Sequence, residues 1–430
     1  MSLRVWTVLL FSGRVRMAGW VLLGMLCAGL LALPAQAQAP PAYRFVKAGM
    51  RQARLPFQLQ RNLMIVEASL NGQGPYNFML DTGIGISLIT DPALVKELRL
   101  EGGARFLVAG AGEEKPLEAQ QITGVHVRMG DVEAPSLSFL ALSDDVLNLS
   151  GYVGVPIHGL LGSDVFRSFV VQVRPEEEYA VLHDPARYRA PRGRRWARLP
   201  LDMEGNKSYL TLPVQLNDTL TLPLKLVLDT GAGHALSLET TSDPRLHLPQ
   251  ARLRTQLGRG LSGNINGYLG RVAALQLGRY RVKSLLTSFP DAAAVAQRVE
   301  VPRNGNLGFE LLKRFEIVVD YAHNQLLLRP NRLYKDPFEH DMCGFDVLAT
   351  GPGFRQYRVL RVQAGSPAEQ AGLLPGDEII SINLLPADVF SLTQLSRMLH
   401  SQDGRQLLFI VRRAETGELF TTAVRLKRQI

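Results

Sequence analysis

Apolar runs bounded by turn residues predict β-strands through the middle of the chain. Two of these runs, residues 76–80 and 224–228, each end directly before an Asp-Thr-Gly sequence. Turns that contain asparagine precede them at residues 70–72 and 216–218, which predicts a hairpin in front of each strand. The pattern therefore predicts two similar units, each made of a hairpin and a buried strand that leads to an aspartate.

An internal repeat is visible when the two Asp-Thr-Gly copies are aligned. Gly110 and Gly258 each lie 27 residues after the glycine of their copy. Gly-Leu-Leu-Gly at residues 159–162 corresponds to Gly-Asn-Leu-Gly at residues 305–308, and an acidic residue and an apolar run follow both. Closing strands are predicted at residues 170–173 and 315–321. The middle of the protein is therefore two copies of one β-rich unit.

The two repeated aspartates, Asp81 and Asp229, are the candidate catalytic residues. A charged carboxylate at the end of an apolar strand is costly to bury unless a neighbour pairs with it or shares its proton. A single Asp-Thr-Gly would be weak evidence, because Asp and Gly are common in turns. Two copies in two related units are what a pair of cooperating carboxylates requires.

These paired features resemble the retropepsin-like and pepsin-like aspartyl proteases over roughly residues 55–330. The resemblance implies an all-β bilobed fold, with a cleft between two related β units and one catalytic aspartate from each. It also implies hydrolysis of peptide bonds by a water that the two carboxylates activate. The residues that would support the catalytic loops are Thr82, Gly83, Thr230 and Gly231. The residues that would belong to flaps closing over the substrate are Gly110, Gly112, Gly258 and Gly260.

The pattern changes from about residue 341, where a second kind of domain is expected. A strand is predicted at residues 378–383 after a Gly- and Pro-containing segment, and Ser391 with Gln394 forms a capping box that starts a helix. The apolar residues of this helix share one face. With the sequence Ala-Gly-Leu-Leu-Pro-Gly-Asp at residues 371–377, these features resemble a PDZ domain, which has an α+β fold.

A PDZ domain binds a peptide as an added strand and often captures its terminal carboxylate with loop amides. By this resemblance Gly344 and Phe345 form the carboxylate loop, although the sequence before them departs from the usual Gly-Leu-Gly-Phe. The pairing strand and the facing helix would supply the rest of the peptide groove, namely Asp346, Val347, Leu348, Leu392 and Leu395. Partners would be polypeptide substrates and the C-termini of peptides or proteins. Use of the PDZ fold as a structural cap is the alternative.

The charge of the chain does not indicate nucleic-acid binding. Residues 1–37 hold three arginines and no acid, so about +6 of the formal net charge of +9 belongs to the remaining residues. A basic cluster at residues 187–195 contains a tyrosine, a combination that nucleic-acid-binding patches also show. The cluster has no companion motif, so a solvated connection between the lobes is the better interpretation.

The N-terminus has the pattern of a signal peptide, which we assign to residues 1–37. Arginines precede an apolar run that is short for a membrane span, and Ala-Gln-Ala at residues 35–37 predicts cleavage. The protein is therefore expected to be exported to the periplasm or the extracellular space, with membrane attachment only if the segment stays uncleaved. Cleavage would leave Cys343 as the one cysteine, without a disulfide partner.

The expected organisation is a signal peptide (1–37), a leader (38–54), two protease lobes (55–190 and 196–332) and a PDZ domain (341–430). The chain has no His-Glu-x-x-His, Cys-x-x-Cys or Gly-x-Ser-x-Gly sequence, so no metal or cofactor is expected. An exported aspartic endopeptidase is the favoured function. A non-catalytic peptide-binding scaffold is the alternative, and the leader or the PDZ domain could block the cleft.

Overall fold

The computed structural model describes residues 41–295 and 301–430, and it is composed mainly of β-strands. The predicted signal peptide (1–37) and the first residues of the predicted leader lie outside the described residues. Among the residues that are described, no helix combines the length and hydrophobicity needed to cross a bilayer.

Among the described residues of the first half of the chain, 41–183 are mostly β, with three short helices. Its strands are β1 (Arg44–Phe45), β2 (Gln52–Pro56), β3 (Gln58–Gln60), β4 (Leu63–Leu70), β5 (Gln73–Leu80), β6 (Ser87–Ile89), β7 (Arg105–Val108), β8 (Leu117–Met129), β9 (Val132–Leu142), β10 (Gly159–Leu161), β11 (Val170–Arg174) and β12 (Tyr179–His183). Its helices are α1 (Pro92–Glu97), α2 (Leu149–Val153) and α3 (Asp164–Ser168).

The second half of the protease region repeats this order of elements. Its strands are β13 (Ala197–Pro200), β14 (Asp202–Glu204), β15 (Lys207–Gln215), β16 (Thr221–Leu228), β17 (Leu236–Leu238), β18 (Arg252–Gly260), β19 (Gly263–Leu277), β20 (Tyr280–Pro290), β21 (Gly305–Leu307), β22 (Phe315–Asp320) and β23 (Gln325–Pro330). Its helices are α4 (Ala292–Val295) and α5 (Phe309–Leu312), with 3₁₀ turns at Thr240–Ser242, Tyr321–His323 and Arg332–Lys335.

Each lobe contains a closed ring of six strands. In the first lobe the order is β4-β5-β10-β6-β9-β8, and β8 pairs with β4 to close the ring. In the second lobe the order is β15-β16-β21-β17-β20-β19, closed by pairing of β19 with β15. The two rings have the same connectivity, and the predicted hairpins join β4 to β5 and β15 to β16. The predicted internal repeat and the bilobed all-β fold are thus confirmed.

A six-stranded sheet joins the two lobes. Its order is β13-β23-β22-β11-β12-β2, and Gln172 of β11 pairs with Val318 of β22 at its centre. The lobes contribute three strands each. One of these, β2, includes residues 52–54 of the segment expected to be a leader, so that part of the segment belongs to the fold. The alternating burial of β2 and β13 contrasts with β22, in which all six residues are buried.

Apolar residues cover both faces of this joining sheet. One face contributes to a continuous core that extends into both rings, including Phe78, Phe139 and Leu226. On the other face, Tyr188 and Trp196 of the basic connection pack against a small apolar cluster. The arginines of the connection are exposed. The connection is therefore partly anchored by its aromatic residues, while its charges face solvent.

The C-terminal region has its own sheet and its own apolar core. Its strands are β24 (Phe345–Thr350), β25 (Gln356–Val362), β26 (Glu378–Ile382), β27 (Leu385–Pro386), β28 (Gln406–Arg412) and β29 (Leu419–Arg425). Its helices are α6 (Pro367–Gln370) and α7 (Leu392–Leu399), with 3₁₀ turns at Pro352–Phe354 and Ala387–Val389. The predicted capping box is present, because Ser391 and Gln394 exchange side-chain to backbone hydrogen bonds. Strand β24 lies at one edge of the sheet.

Candidate active site

Asp81 and Asp229 occupy equivalent positions at the ends of β5 and β16. The backbone N–H of Asp81 donates to the carbonyl of Leu161 at 2.9 Å, and that of Asp229 donates to Leu307 at 3.0 Å. These acceptors end β10 and β21, which run parallel to the aspartate-bearing strands in the same register. The Gly-x-Leu-Gly sequences therefore hold the start of each candidate catalytic loop.

Thr82 and Thr230 connect the two loops by reciprocal hydrogen bonds. The hydroxyl of Thr82 donates to the carbonyl of Leu228 at 2.7 Å and accepts from the N–H of Thr230 at 3.0 Å. The hydroxyl of Thr230 donates to the carbonyl of Leu80 at 2.9 Å and accepts from the N–H of Thr82 at 3.0 Å. Both side chains are fully buried. Each hydroxyl thus fixes the backbone that carries the opposite aspartate.

Gly83 and Gly231 leave room for both carboxylates. A Cβ atom on Gly83 would lie 2.8 Å from Oδ1 of Asp229 and 3.0 Å from Oδ1 of Asp81. A Cβ atom on Gly231 would lie 2.3 Å from Oδ2 of Asp81, closer than real Cβ atoms approach an oxygen. Both carboxylates therefore border the same small space, and a side chain at either glycine would displace them.

Burial and a like charge favour the protonated form of Asp81. Burial is the main cause and the negative charge of Asp229 the second, and together they raise the pKa of Asp81 to about 7. The N–H groups of Gly83 and Gly231 and the charge of Lys207 act in the opposite direction. A carboxyl of this kind holds a proton in mildly acidic solution, which suits it to share one proton with its neighbour.

Two further residues at the site were not predicted from the sequence. Asn306 donates from Nδ2 to Oδ2 of Asp229 at 2.7 Å, and Lys207, at the start of β15, is the cation that acts on Asp81. The sequence held a signal for Asn306, which is the polar member of Gly-Asn-Leu-Gly where the first copy has Leu160. It held none for Lys207, whose position depends on how the lobes meet.

A cavity of about 1680 Å³ contains the two aspartates. Apolar side chains from both lobes line much of it, including Met79, Ile84, Leu253 and Leu286. Its volume and mixed lining are suited to a polypeptide, whose backbone is polar and whose side chains vary.

The four glycines predicted to belong to flaps lie in two segments that contact each other and line this cavity. The N–H of Gly110 donates to Oγ of Ser262 at 3.1 Å, and the N–H of Ser262 donates to the carbonyl of Ala111 at 2.8 Å. A Cβ on Gly260 would lie 2.4 Å from Cβ of Ala111. Gly112 and Gly258 have positive φ angles of 126° and 155°. The structure therefore brings the two predicted flap segments together at their tips.

The C-terminal domain borders the same cavity. Gly344, Phe345 and Asp346 line it together with His400, in the same cavity as Asp81. Thr393, at the start of α7, donates to Oε1 of Gln60 at 2.7 Å and accepts from the N–H of Arg61 at 3.1 Å. The domain is therefore attached to the first lobe beside the cavity.

The predicted peptide groove of this domain is divided between its core and its contact with the first lobe. Four of its residues, Phe345, Val347, Leu392 and Leu395, are buried in the domain's own core. Asp346 pairs with Arg361 at 2.8 Å. Leu348 and Leu392 face helix α2 and the residue after it, because a Cβ on Gly151 would lie 2.9 Å from Cδ1 of Leu348 and one on Gly154 would lie 2.6 Å from Cβ of Leu392.

The predicted carboxylate loop binds a carboxylate from its own chain. The side chain of Asp341 accepts from the N–H groups of Cys343 and Gly344, both at 2.9 Å, and from that of Phe345 at 3.1 Å. Burial raises the pKa of Asp341 to about 6, although these three donors act to lower it. Asp341 was not predicted as a site residue, since a single acidic residue before the loop carries no distinctive pattern.

Within residues 41–295 and 301–430, no group of three or more His, Cys, Asp or Glu side chains is placed to hold a metal ion. Cys343 is buried and makes no disulfide there, and burial raises the pKa of its thiol.

Comparison with protein families agrees with the geometry of both regions. A family model described as aspartyl protease matches residues 66–165 and 212–311, the two segments that carry Asp81 and Asp229. A second family model, described as PDZ domain, matches residues 358–413. No curated protein matches the chain. The chain thus contains an aspartyl protease domain in two segments, followed by a C-terminal PDZ domain, a type of domain that binds peptides.

Proposed function

We propose that the protein is an exported aspartic endopeptidase that hydrolyses peptide bonds with Asp81 and Asp229 as its catalytic residues. The observation that supports this most directly is the pair of Thr82 and Thr230 hydrogen bonds, which hold both aspartate-bearing loops against each other in one cavity. Export rests on the signal-peptide pattern of residues 1–37.

The chemistry follows from two carboxylates that share one proton. The ionised carboxylate takes a proton from water, and the water oxygen attacks the peptide carbon while the protonated carboxyl donates to the carbonyl oxygen. The flap segments at Gly110, Gly112, Gly258 and Gly260 cover the substrate, and Gly83 and Gly231 keep the space beside the carboxylates open. The PDZ domain binds substrate or partner peptides, and peptide C-termini reach its loop only when Asp341 leaves it.

The test is digestion of an unfolded polypeptide, such as a reduced and alkylated protein, by the purified full chain between pH 3 and 8. Mass spectrometry of the fragments should show internal cleavage sites, with activity greatest on the acidic side of neutrality. Absence of cleavage at every pH, with binding of the same polypeptide retained, would replace the enzyme by the peptide-binding scaffold.

A further inference from the structure

The hydrogen bonding of the two aspartates is asymmetric because Asn306 has no polar counterpart. Asn306 and Leu160 occupy the same register position in their rings, opposite Val227 and Met79 respectively. Leu160 cannot donate a hydrogen bond, whereas the amide of Asn306 lies 2.7 Å from Oδ2 of Asp229. An amide donor stabilises the charged form of a carboxylate. The second lobe therefore has a side-chain donor to its aspartate at a position where the first lobe has none.

We infer that Asn306 is a positioning residue that keeps Asp229 as the ionised member of the pair and leaves the shared proton on Asp81. This inference rests on the proposed function. The deep burial of Asp81, which is 6% exposed, favours its neutral form. The N–H of Gly83, which donates to Asp81 at 2.7 Å, the N–H of Gly231 and the charge of Lys207 favour the charged form of Asp81, so the assignment requires burial to outweigh all three.

The assignment gives each carboxyl a role in both steps of the reaction. Asp229 takes a proton from water, the water oxygen bonds to the peptide carbon, and Asp81 gives its proton to the carbonyl oxygen. As the carbon–nitrogen bond breaks, Asp229 donates its proton to the departing nitrogen and Asp81 takes one back from a hydroxyl of the diol. The pair returns to its starting protonation state.

The test compares Asn306→Leu, which copies the first lobe, with the wild type and with the double variant Leu160→Asn, Asn306→Leu. The pH profile of kcat/KM is measured on one fluorogenic peptide. In Asn306→Leu the acidic limb should move to higher pH by about one unit and kcat should fall roughly tenfold, with KM little changed. In the double variant the donor lies beside Asp81, so the basic limb should move to lower pH.

Partial unfolding would lower kcat/KM at every pH but would leave the acidic and basic limbs of the pH profile in place. The positions of the limbs therefore distinguish the proposed role from a purely structural effect. If the wild type is active and Asn306→Leu has the same limbs as the wild type, the inference is wrong but the proposed function is not affected. An inactive wild type would contradict the proposed function instead. The ¹³C carboxyl resonance of Asp81 would then test the inference without substrate, because in Asn306→Leu the shared proton must move away from Asp81 and shift this resonance toward that of a charged carboxylate; an unmoved resonance would refute the inference.

A second inference comes from the PDZ domain and does not depend on catalysis. Strand β24 pairs with β25 on one side only, and its other side is the edge to which a PDZ ligand adds. Helix α2 lies against β24, with Gly151 facing Leu348 and Gly154 facing Leu392 of α7. Both glycines lack the side chain that would separate the two surfaces.

We propose that the ligand site of the PDZ domain is filled by its own chain. Helix α2 and Gly154 take the place of the ligand beside β24 and α7, and the carboxylate of Asp341 takes the place of the terminal carboxylate at the loop amides. A peptide with a free C-terminus therefore competes with both. Its binding requires the domain to separate from the first lobe, and this separation removes the PDZ wall of the catalytic cavity.

The test uses a fluorescent hexapeptide that ends in a free leucine carboxylate, with its C-terminal amide as the matched ligand. Binding to the full chain is measured by anisotropy for the wild type, Gly151→Glu, Asp341→Ala and the double variant. Gly103→Glu serves as the protein control, because a Cβ there makes only an ordinary contact of 3.5 Å. The double variant should bind the carboxylate peptide at least tenfold more tightly than the wild type and more tightly than the amide.

Equal affinity of the wild type and the double variant for the carboxylate peptide would overturn this proposal. If the double variant binds the carboxylate peptide and the amide peptide with equal affinity, the loop does not recognise a terminal carboxylate. This result would also overturn the proposal. Circular dichroism of each variant establishes that it is folded. If Gly151→Glu does not fold, the smaller Gly151→Ala replaces it, because its single Cβ would already lie 2.9 Å from Cδ1 of Leu348.

Discussion

The hydroxyl of Thr82 lies 3.0 Å from the backbone nitrogen of Thr230, and the hydroxyl of Thr230 lies 3.0 Å from the nitrogen of Thr82. Each hydroxyl also donates to the backbone carbonyl of the residue before the opposite aspartate. Four buried backbone groups are thus satisfied by two side chains. The contact determines where the two carboxylates lie, because each loop is held by the other lobe.

Replacing one of these hydroxyls by a methyl group should destabilise the protein strongly. Thr82→Val keeps the shape of the side chain but leaves the N–H of Thr230 and the carbonyl of Leu228 without their partner. Each buried unsatisfied group costs about 1–3 kcal/mol, so the free energy of unfolding should fall by roughly 2 kcal/mol or more. Thr82→Ser keeps the hydroxyl and should lose less. Urea denaturation measures both, and equal losses would argue against a role for these hydrogen bonds.

The stability of the protein should depend on pH through Asp81. Because its pKa is about 7 in the folded protein against an ordinary 3.8, the folded state binds more protons between these values. The contribution is therefore fully present below about pH 4 and is lost as the pH rises through about 7. Asp81→Asn removes this loss, so at pH 8 the variant should exceed the wild type by on the order of 1–3 kcal/mol.

The pH effect is measured by denaturant unfolding at pH 4.5 and pH 8 for the wild type and Asp81→Asn. Asp131→Asn is the control, because Asp131 is exposed. A stability difference that is the same at both pH values would be inconsistent with a raised pKa at Asp81.

The contact between the flap tips should be needed for efficient cleavage. Gly260→Val places two methyl groups against Ala111, to which a Cβ at residue 260 would already come within 2.4 Å, so the tips must separate. We expect kcat/KM for a peptide substrate to fall about tenfold or more, because the cover over the substrate is displaced. Gly103→Val in the same lobe as Ala111 is the matched control. Equal kcat/KM in Gly260→Val and the wild type would exclude a functional role for this contact.

Repetition made much of the fold and the pair of aspartates predictable from sequence. Once the copies around Asp81 and Asp229 were aligned, the same strands, hairpins and Gly-x-Leu-Gly segments followed in both halves, and the two rings have that order. The PDZ region was predictable for a different reason, because the capping box at Ser391 and the Gly-Asp turn at residues 376–377 are local features.

Contacts between distant segments were not predictable in this way. The placement of Gly151 against Leu348 joins residues from two domains, and neither local pattern contains information about the other. Asn306 was visible as a departure from the repeat, but its partner became clear only when the parallel pairing of β16 and β21 placed it beside Asp229. Residues 52–54 look like a leader in sequence because the sheet that they complete is formed mainly by later strands.

The central claim is that Asp81 and Asp229 act as one catalytic pair, and the most direct test is the initial rate of polypeptide hydrolysis by Asp81→Asn and by Asp229→Asn. Both variants keep the shape of the side chain, and circular dichroism establishes that they are folded. Each single variant should lose at least a thousandfold in rate relative to the wild type, because neither carboxyl can supply both proton transfers alone. A variant that retains wild-type cleavage at the same peptide bonds would contradict a shared dyad.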